Sequence, residues 1–456
     1  MSPKQPVTKG ESYIIEIAGL GHSGEGVGRY RDFTVFVPSA LPGEMVRATV
    51  HEVKKNYAKA RLEKVLAPSA DRAEPRCGVY DRCGGCQLQH LSYEVQLAVK
   101  RQQVVDAVHR IGKLSGVVVH PTLGAAHPWH YRNKMQFPVG MADGKIAVGC
   151  FAPGTHRIVD TDDCLIQQAA NNDIARQVRR MIQDLGLEPY DEATGRGVIR
   201  HVLGRVGTAT GEAMAVLVTA TPTLPKRDRV VAALREKVPG LVSIVHNINP
   251  QRTNIILGDR TVTLWGRDTI TDRLGKFSFE ISALSFFQVN TAQAAVLYGK
   301  AVEYAGLTGE ETVIDAYCGT GTITLFLAER AAKVYGIEVV ESAIRDARRN
   351  AAANGIANTE FLVGDAVEVM PRLYTQGVRP HAVVVDPPRA GCAPAVLDTF
   401  VRMNPERIVY VSCNPASLAR DLAFLADRGY AVREIQPVDM FPHTAHVECV
   451  ALIERK

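Results

Sequence analysis

Residues 312–330 constrain the fold more than any other stretch of the chain. The β-rich run Thr312-Val313-Ile314-Asp315 leads into Ala316-Tyr317-Cys318-Gly319-Thr320-Gly321-Thr322 and then into a helix-like run ending near Arg330. A strand, a glycine turn and a helix in that order bring backbone N–H groups and the positive end of the helix up to a nucleotide-like ligand. A lone G-x-G is a weak signal, but the following residues reinforce it. A second strand, 333–337, ends in Glu338, 23 residues beyond Asp315, where an acid reaches ribose hydroxyls. A third run, 361–363, ends in Gly364-Asp365, and a fourth, 382–385, in Asp386-Pro387-Pro388-Arg389. Four strands with polar ends at one edge of a doubly wound α/β sheet define a single ligand crevice.

The D-x-x-C-G-x-G loop lacks the G-x-G-x-x-G spacing of dinucleotide folds, which favours S-adenosylmethionine over NAD. Further along, the apolar run 408–411 ends in Ser412-Cys413-Asn414-Pro415. Taken alone, a cysteine is usually a small buried hydrophobe. At the end of a strand in a chain with a nucleotide-type loop, Cys413 is a candidate nucleophile.

The rest of the chain divides by pattern. Residues 1–66 read as a small β-barrel, because short alternating apolar and polar runs are broken by glycine. Its last two strands carry Arg47, Lys54, Lys55, Lys59, Arg61 and Lys64 against Glu52 and Glu63, with His51 and Tyr57 interleaved. Such a stripe suits single-stranded or irregular RNA, whereas the plainer reading is a solvated charged face. Residues 67–284 read as an α+β domain. It opens on a cysteine loop and a helix over 91–112 with Leu97, Val104, Val108 and Ile111 on one face; further helices are expected at 169–185 and 226–237. Residues 285–456 hold the Rossmann-like sheet. The helix at 91–112 is expected to pack on that last domain. The first ten residues are polar and nowhere do 18 apolar residues run together, which predicts a cytoplasmic protein away from membranes. A monomer is expected. The formal charge of +5 is modest for 456 residues, so local charge is more informative than the total.

Cys77, Cys83 and Cys86 stand at C-x5-C-x2-C spacing, and Cys164 follows the first hairpins. Four thiolates from a tight loop and a distant strand can hold a tetrahedral zinc or an iron–sulfur cluster, and spacing alone does not choose. The spacing does not match the C-x3-C-x2-C of radical enzymes.

Five motifs in order, Phe286-Phe287-Gln288-Val289-Asn290, residues 315–321, residues 386–389, residues 412–415 and His446-Val447-Glu448-Cys449, resemble the RNA uracil-C5 methyltransferases. Gly24-Glu25-Gly26-Val27-Gly28-Arg29 and Leu41-Pro42-Gly43-Glu44 resemble the TRAM RNA-binding module. The resemblance covers essentially the whole chain. It implies Cys413 as the thiolate that adds to uracil C6, with a pKa lowered by its surroundings, and Glu448 as the base that removes the C5 proton. It also implies cofactor contacts at Gln288, Tyr317, Glu338, Asp365 and Asp386. Where family members often have Asn after the second loop glycine, this chain has Thr322. The cysteine pattern resembles the [4Fe–4S] site of the ribosomal branch, with Cys77, Cys83, Cys86 and Cys164 as ligands and 23S ribosomal RNA as substrate. Transfer RNA, or cytosine C5 chemistry using Cys392 after the D-P-P-R turn, are the alternatives. Cys318 and Cys449 are expected to be packing residues.

Overall fold

The computed structural model describes residues 5–456. Strands Ser12–Leu20, Gly26–Tyr30, Phe33–Val37, Met45–Val53 and Tyr57–Ala67 close into a barrel. Alternation drives this: Ile15, Ile17, Val35, Val37, Ala58 and Ala60 face inward, while Arg47, Lys59, Arg61 and Lys64 are exposed. Gly28 sits where the first two strands cross, and a Cβ there would lie 2.3 Å from the Glu16 carbonyl oxygen. Glu52 lies between Lys54 at 2.7 Å and Lys59 at 3.1 Å and offsets part of the positive stripe. Glu44 is fully buried and accepts two hydrogen bonds from Arg72, at 2.6 Å and 2.7 Å, fastening the barrel to the next segment. Burial opposes its charge, but Arg72 and the N–H groups of Leu41 and Ser69 outweigh that and hold its carboxyl below the usual range.

The central sheet has seven strands, in the order Arg260–Gly266, Leu241–Ile248, Ala213–Thr219, Ile199–Val206, Lys134–Ala142, Lys145–Phe151 and Ile158–Asp160. One face carries helices Ala169–Leu185 and Arg227–Lys237. The other face joins the core of the C-terminal half. Strands Ile199–Val206 and Ala213–Thr219 are therefore buried at every position. Ala213–Thr219 reads as a continuous apolar run, whereas Ile199–Val206 buries Arg200 and Arg205, whose guanidinium groups donate to the backbone carbonyls of Asn249 and Ser285. The hairpin Thr269–Leu274/Phe277–Ser282 places Phe277, Phe279 and Ile281 in that shared core, which continues across residue 284.

The C-terminal sheet has eight strands, in the order Thr359–Val363, Lys333–Glu338, Thr312–Ala316, Ala382–Val385, Arg407–Ser412, Glu448–Arg455, Tyr430–Val438 and Val118–Val119. The first five are parallel, and Glu448–Arg455 runs antiparallel to both its neighbours. Chain order reverses between Thr312–Ala316 and Ala382–Val385, so a crevice opens at their C-terminal ends. The two-residue strand Val118–Val119 extends this sheet from far upstream.

Helix Tyr93–Arg110 packs beside helix Pro415–Ala426. Its inward face differs from the expected one. Val104 and Val108 are buried, but Ile111 lies past the helix end, half exposed, Leu97 is only partly covered, and Gln96 and Lys100 take the inner positions. The reason is a buried polar anchor. Lys100 Nζ lies 2.5 Å from Asp439 and donates to the Phe441 carbonyl at 3.0 Å, while Tyr93 Oη donates to Asp439 at 2.9 Å. Burial pulls the Lys100 ammonium down, and Asp439 opposes that pull. Lys100→Met is expected to destabilise the protein by about 3–5 kcal/mol, since it strands a buried carboxylate. Denaturant unfolding measures this, and the double variant with Asp439→Leu should recover most of the loss.

Candidate active site

Asp315 is buried near the end of its strand and accepts from Thr324 Oγ1 at 2.5 Å. Burial pushes its carboxyl up to about 7. Tyr317 takes a left-handed backbone (φ 65°), which turns the chain out of the sheet. The Gly319 N–H then donates to Glu338 at 3.3 Å, and the other Glu338 oxygen accepts from Val340 N–H at 2.9 Å. Gly321 (φ +81°) opens helix Thr322–Ala328, and a Cβ there would lie 3.1 Å from Ala347 and 3.2 Å from Phe361. Only glycine meets both demands comfortably. Asp365 is exposed and caps helix Ala366–Thr375 through Val367 N–H at 2.9 Å, leaving its second carboxylate oxygen free of that bond. Gln288 is buried beside Tyr298, and its backbone carbonyl accepts from Asn133 Nδ2 at 2.9 Å. Thr322 Oγ1 donates to the Tyr298 hydroxyl at 3.3 Å, which gives the residue at the departing position a definite partner.

The second half of the site lies on the adjoining strands. Cys413 follows strand Arg407–Ser412, and Ser412 pairs with Cys449 across the sheet, so the same register sets Cys413 opposite Glu448. Asn414 Nδ2 and Ser417 Oγ both donate to the Arg389 carbonyl, at 3.0 Å and 3.1 Å, fixing the cysteine loop against the D-P-P-R turn. Of the four cysteines in this half, Cys318, Cys392 and Cys449 are buried and Cys413 alone is partly open. Burial raises the Cys392 thiol to about 12, with the amide of Cys392 tied to Asp421 at 2.9 Å.

The expected lowering of the Cys413 pKa is not what its surroundings produce. Burial, then the charges of Glu448 and Asp386, push the thiol up to about 11, with Arg389 acting in the opposite sense. The carboxyls are raised too: Asp386, half buried, to about 6 by burial, and Glu448 well above its usual value by burial and then Asp386. Burial and mutual proximity thus make each of these three acidic groups resist ionisation.

A cavity of about 540 Å³ joins this site to the cysteine loop. Its walls include Cys413, Arg389 and His446 at one end and Cys77, Cys83, Cys86 and Cys164 at the other. A fifth thiol, Cys150, also lines it. Sequence spacing gives no sign of Cys150. The register Val139↔Val148 in the hairpin carries it there. A hydrogen bond with Cys150 lowers Cys83 and raises Cys150, while burial pushes Cys86 up to about 12 and Cys164 to about 11. Among the described residues no group of three or more His, Cys, Asp or Glu side chains is drawn together tightly enough to hold a metal ion. Five thiols thus line one chamber, together with Arg132, Gln136, Gln167 and apolar residues. The loop is fixed to the catalytic end, since Gln87 and Leu88 N–H groups donate to the His443 carbonyl at 3.0 Å and 2.9 Å.

The strand order and crevice define an S-adenosylmethionine-dependent methyltransferase. The chain belongs to the tRNA (Uracil-5-)-methyltransferase family, whose pattern matches residues 92–456, and a TRAM domain matches residues 6–62. It is 51% identical over 457 residues to an uncharacterized RNA methyltransferase of Halalkalibacterium halodurans, covering 100% of each chain. It is 47% identical over 448 residues to one from Clostridium tetani, covering 98% of this chain and 97% of that one. Among solved structures, the Pyrococcus abyssi tRNA (uracil-54, C5)-methyltransferase in complex with S-adenosyl-L-homocysteine matches with a TM-score of 0.77 at 30% identity, over 97% of this chain and 100% of that one. The activity is thus methylation of RNA at uracil C5. Among the described residues no helix is long and apolar enough to cross a membrane.

Proposed function

We propose that this enzyme methylates uridine C5 in 23S ribosomal RNA, with Cys413 as nucleophile and Glu448 as base. The observation that carries the catalytic assignment is the register that sets these two side chains opposite each other beside Asp386. Uracil C5 is too weak a nucleophile to take a methyl group unaided. The Cys413 thiolate adds to C6, and the electron pair of the 5,6 double bond moves to C5 and the 4-oxygen. S-adenosylmethionine, held by Gln288, Tyr317, Glu338, Asp365 and Asp386, supplies the methyl group on a sulfonium. Once C5 is methylated, Glu448 takes the C5 proton, the double bond re-forms, and the C6–sulfur bond breaks to return the thiolate. A carboxylate with a raised pKa is suited to that proton, because its affinity for it is higher than that of a solvated carboxylate. Arg132 and Gln136 line the same cavity and suit phosphate and base edges. The target base must leave its stack to reach Cys413.

Cys77, Cys83, Cys86 and Cys164 would hold a [4Fe–4S] cluster, tying the hairpin that bears Cys164 to the 77–86 loop. The supporting observation is that all four line one chamber, which Cys150 also lines. Anaerobically purified protein is expected to be brown with about four irons per chain; colourless protein with stoichiometric zinc would assign the site to zinc instead.

The ribosomal substrate is inferred from the barrel and four-cysteine site, which accompany that branch of the family. The second reading, transfer RNA, is favoured by the name of the Pyrococcus abyssi enzyme. Mass-spectrometric mapping of 5-methyluridine in both RNAs, from cells with and without the protein, decides between them. Loss from 23S RNA is expected, and loss confined to transfer RNA would select the second reading.

A further inference from the structure

A second cavity, of about 780 Å³, lies between the barrel and the cysteine loop. One wall is the outer face of the barrel, where Phe36, His51, Tyr57 and Lys59 stand on three adjacent strands. The other wall is the loop carrying Tyr80, Cys83 and Cys86, and these three residues also line the cavity that contains Cys413. The two cavities are thus opposite sides of one loop. Tyr80 is a fixed partition, being buried with its hydroxyl on His90 Nδ1 at 2.6 Å.

The barrel wall is not a packed core. Phe36 and Tyr57 meet edge to face, with centroids 5.4 Å apart at 83°, and both remain partly open. That arrangement leaves an aromatic face available, and any nucleobase can stack on such a face whatever its identity. Exposed Lys59 and His51 flank it, and the Lys59 ammonium, shared with Glu52 at 3.1 Å, lies at the surface within reach of a backbone phosphate. A cleft of this size accommodates a nucleotide, its lining carrying Lys59, His22 and His51 against Glu25 and Asp81.

We propose that this cleft binds an unpaired nucleotide of the substrate RNA, flanking the target uridine by a few positions, with its base stacked on the Phe36–Tyr57 pair. The RNA strand passes over the cysteine loop, and that loop sets the spacing between the stacked base and the base delivered to Cys413. This inference rests on the reading of the chain as an RNA uracil-C5 methyltransferase. It adds a reason for joining the barrel to the catalytic half through the cysteine loop: the joint acts as a ruler that measures distance along the strand.

The test uses the full-length protein and an RNA fragment centred on the uridine it methylates. Tyr57→Leu and Phe36→Leu should each weaken RNA binding by roughly 5- to 100-fold, the range for losing one base–aromatic stack. Tyr57→Phe should bind like the wild type, because the ring is kept. For Tyr57→Leu, KM for RNA should rise while kcat at saturating RNA and affinity for S-adenosylmethionine stay put. Wild-type affinity in both leucine variants would overturn the proposal. Independently of any variant, 4-thiouridine placed at successive flanking positions of wild-type complexes should cross-link to the barrel wall at one position. Cross-links that avoid Phe36, His51 and Tyr57 at every position overturn it as well. Failure of the catalytic reading would instead appear as altered chemistry at Cys413 with RNA affinity and cross-links intact.

Discussion

Cys413→Ala is expected to abolish methyl transfer, with a fall of roughly 10⁴-fold or more, the scale on which loss of a covalent nucleophile is felt. S-adenosylmethionine binding should stay close to that of the wild type. The thiol follows strand Arg407–Ser412 and is not part of the Gly319–Gly321 turn, and its loop is held by Asn414 and Ser417 on the Arg389 carbonyl, bonds that do not depend on the sulfur. Equilibrium binding of the cofactor and single-turnover methylation separate the two effects. Retained turnover, with activity lost in Cys392→Ala instead, would move the nucleophile to the D-P-P-R turn. The structure argues against that outcome, because Cys392 is buried and its thiol is the more strongly raised of the two.

The catalytic half was legible in the sequence because parallel strands advertise themselves. Buried on both sides, they form apolar runs, and the polar residues that end those runs, such as Glu338 and Asp386, stand out as candidates. The same logic singles out Cys413 as a candidate. Features that depend on contact between distant residues were not legible. Lys100 reads as a surface cation on an amphipathic helix, and only its pairing with Asp439, 339 residues away, explains its burial. Cys150 joins the other thiols through hairpin register, which leaves no mark in cysteine spacing. Val118–Val119 is too short to show any period, yet it completes the C-terminal sheet. The raised pKa of Cys413 was also beyond reach, because it depends on how near Glu448 and Asp386 come once the sheet has formed.

Glu448→Gln tests the division of labour within the site and should separate the two halves of the reaction. Addition of Cys413 to C6 and methyl transfer to C5 do not need the base, so both should proceed. Proton removal should fail, and without it the C6–sulfur bond cannot break. The enzyme is then expected to accumulate covalently joined to methylated RNA, seen as a band that survives denaturing electrophoresis and carries label from radioactive methyl groups. That band should vanish when Cys413 is also replaced. The same substitution should raise thermal stability. Burial lifts the Glu448 carboxyl well above its ordinary 4.5, so the folded state favours the protonated form. The resulting penalty on folding is absent below the unfolded value, grows as pH rises from it, and levels off above the folded value. Glutamine removes the charge, so the stabilisation should be largest at alkaline pH and disappear near about pH 4. A normal turnover rate in Glu448→Gln would assign the proton to another group, with Asp386 and His446 the nearest candidates by motif. Absence of the adduct despite binding of both substrates would make Glu448 a residue that positions the uracil.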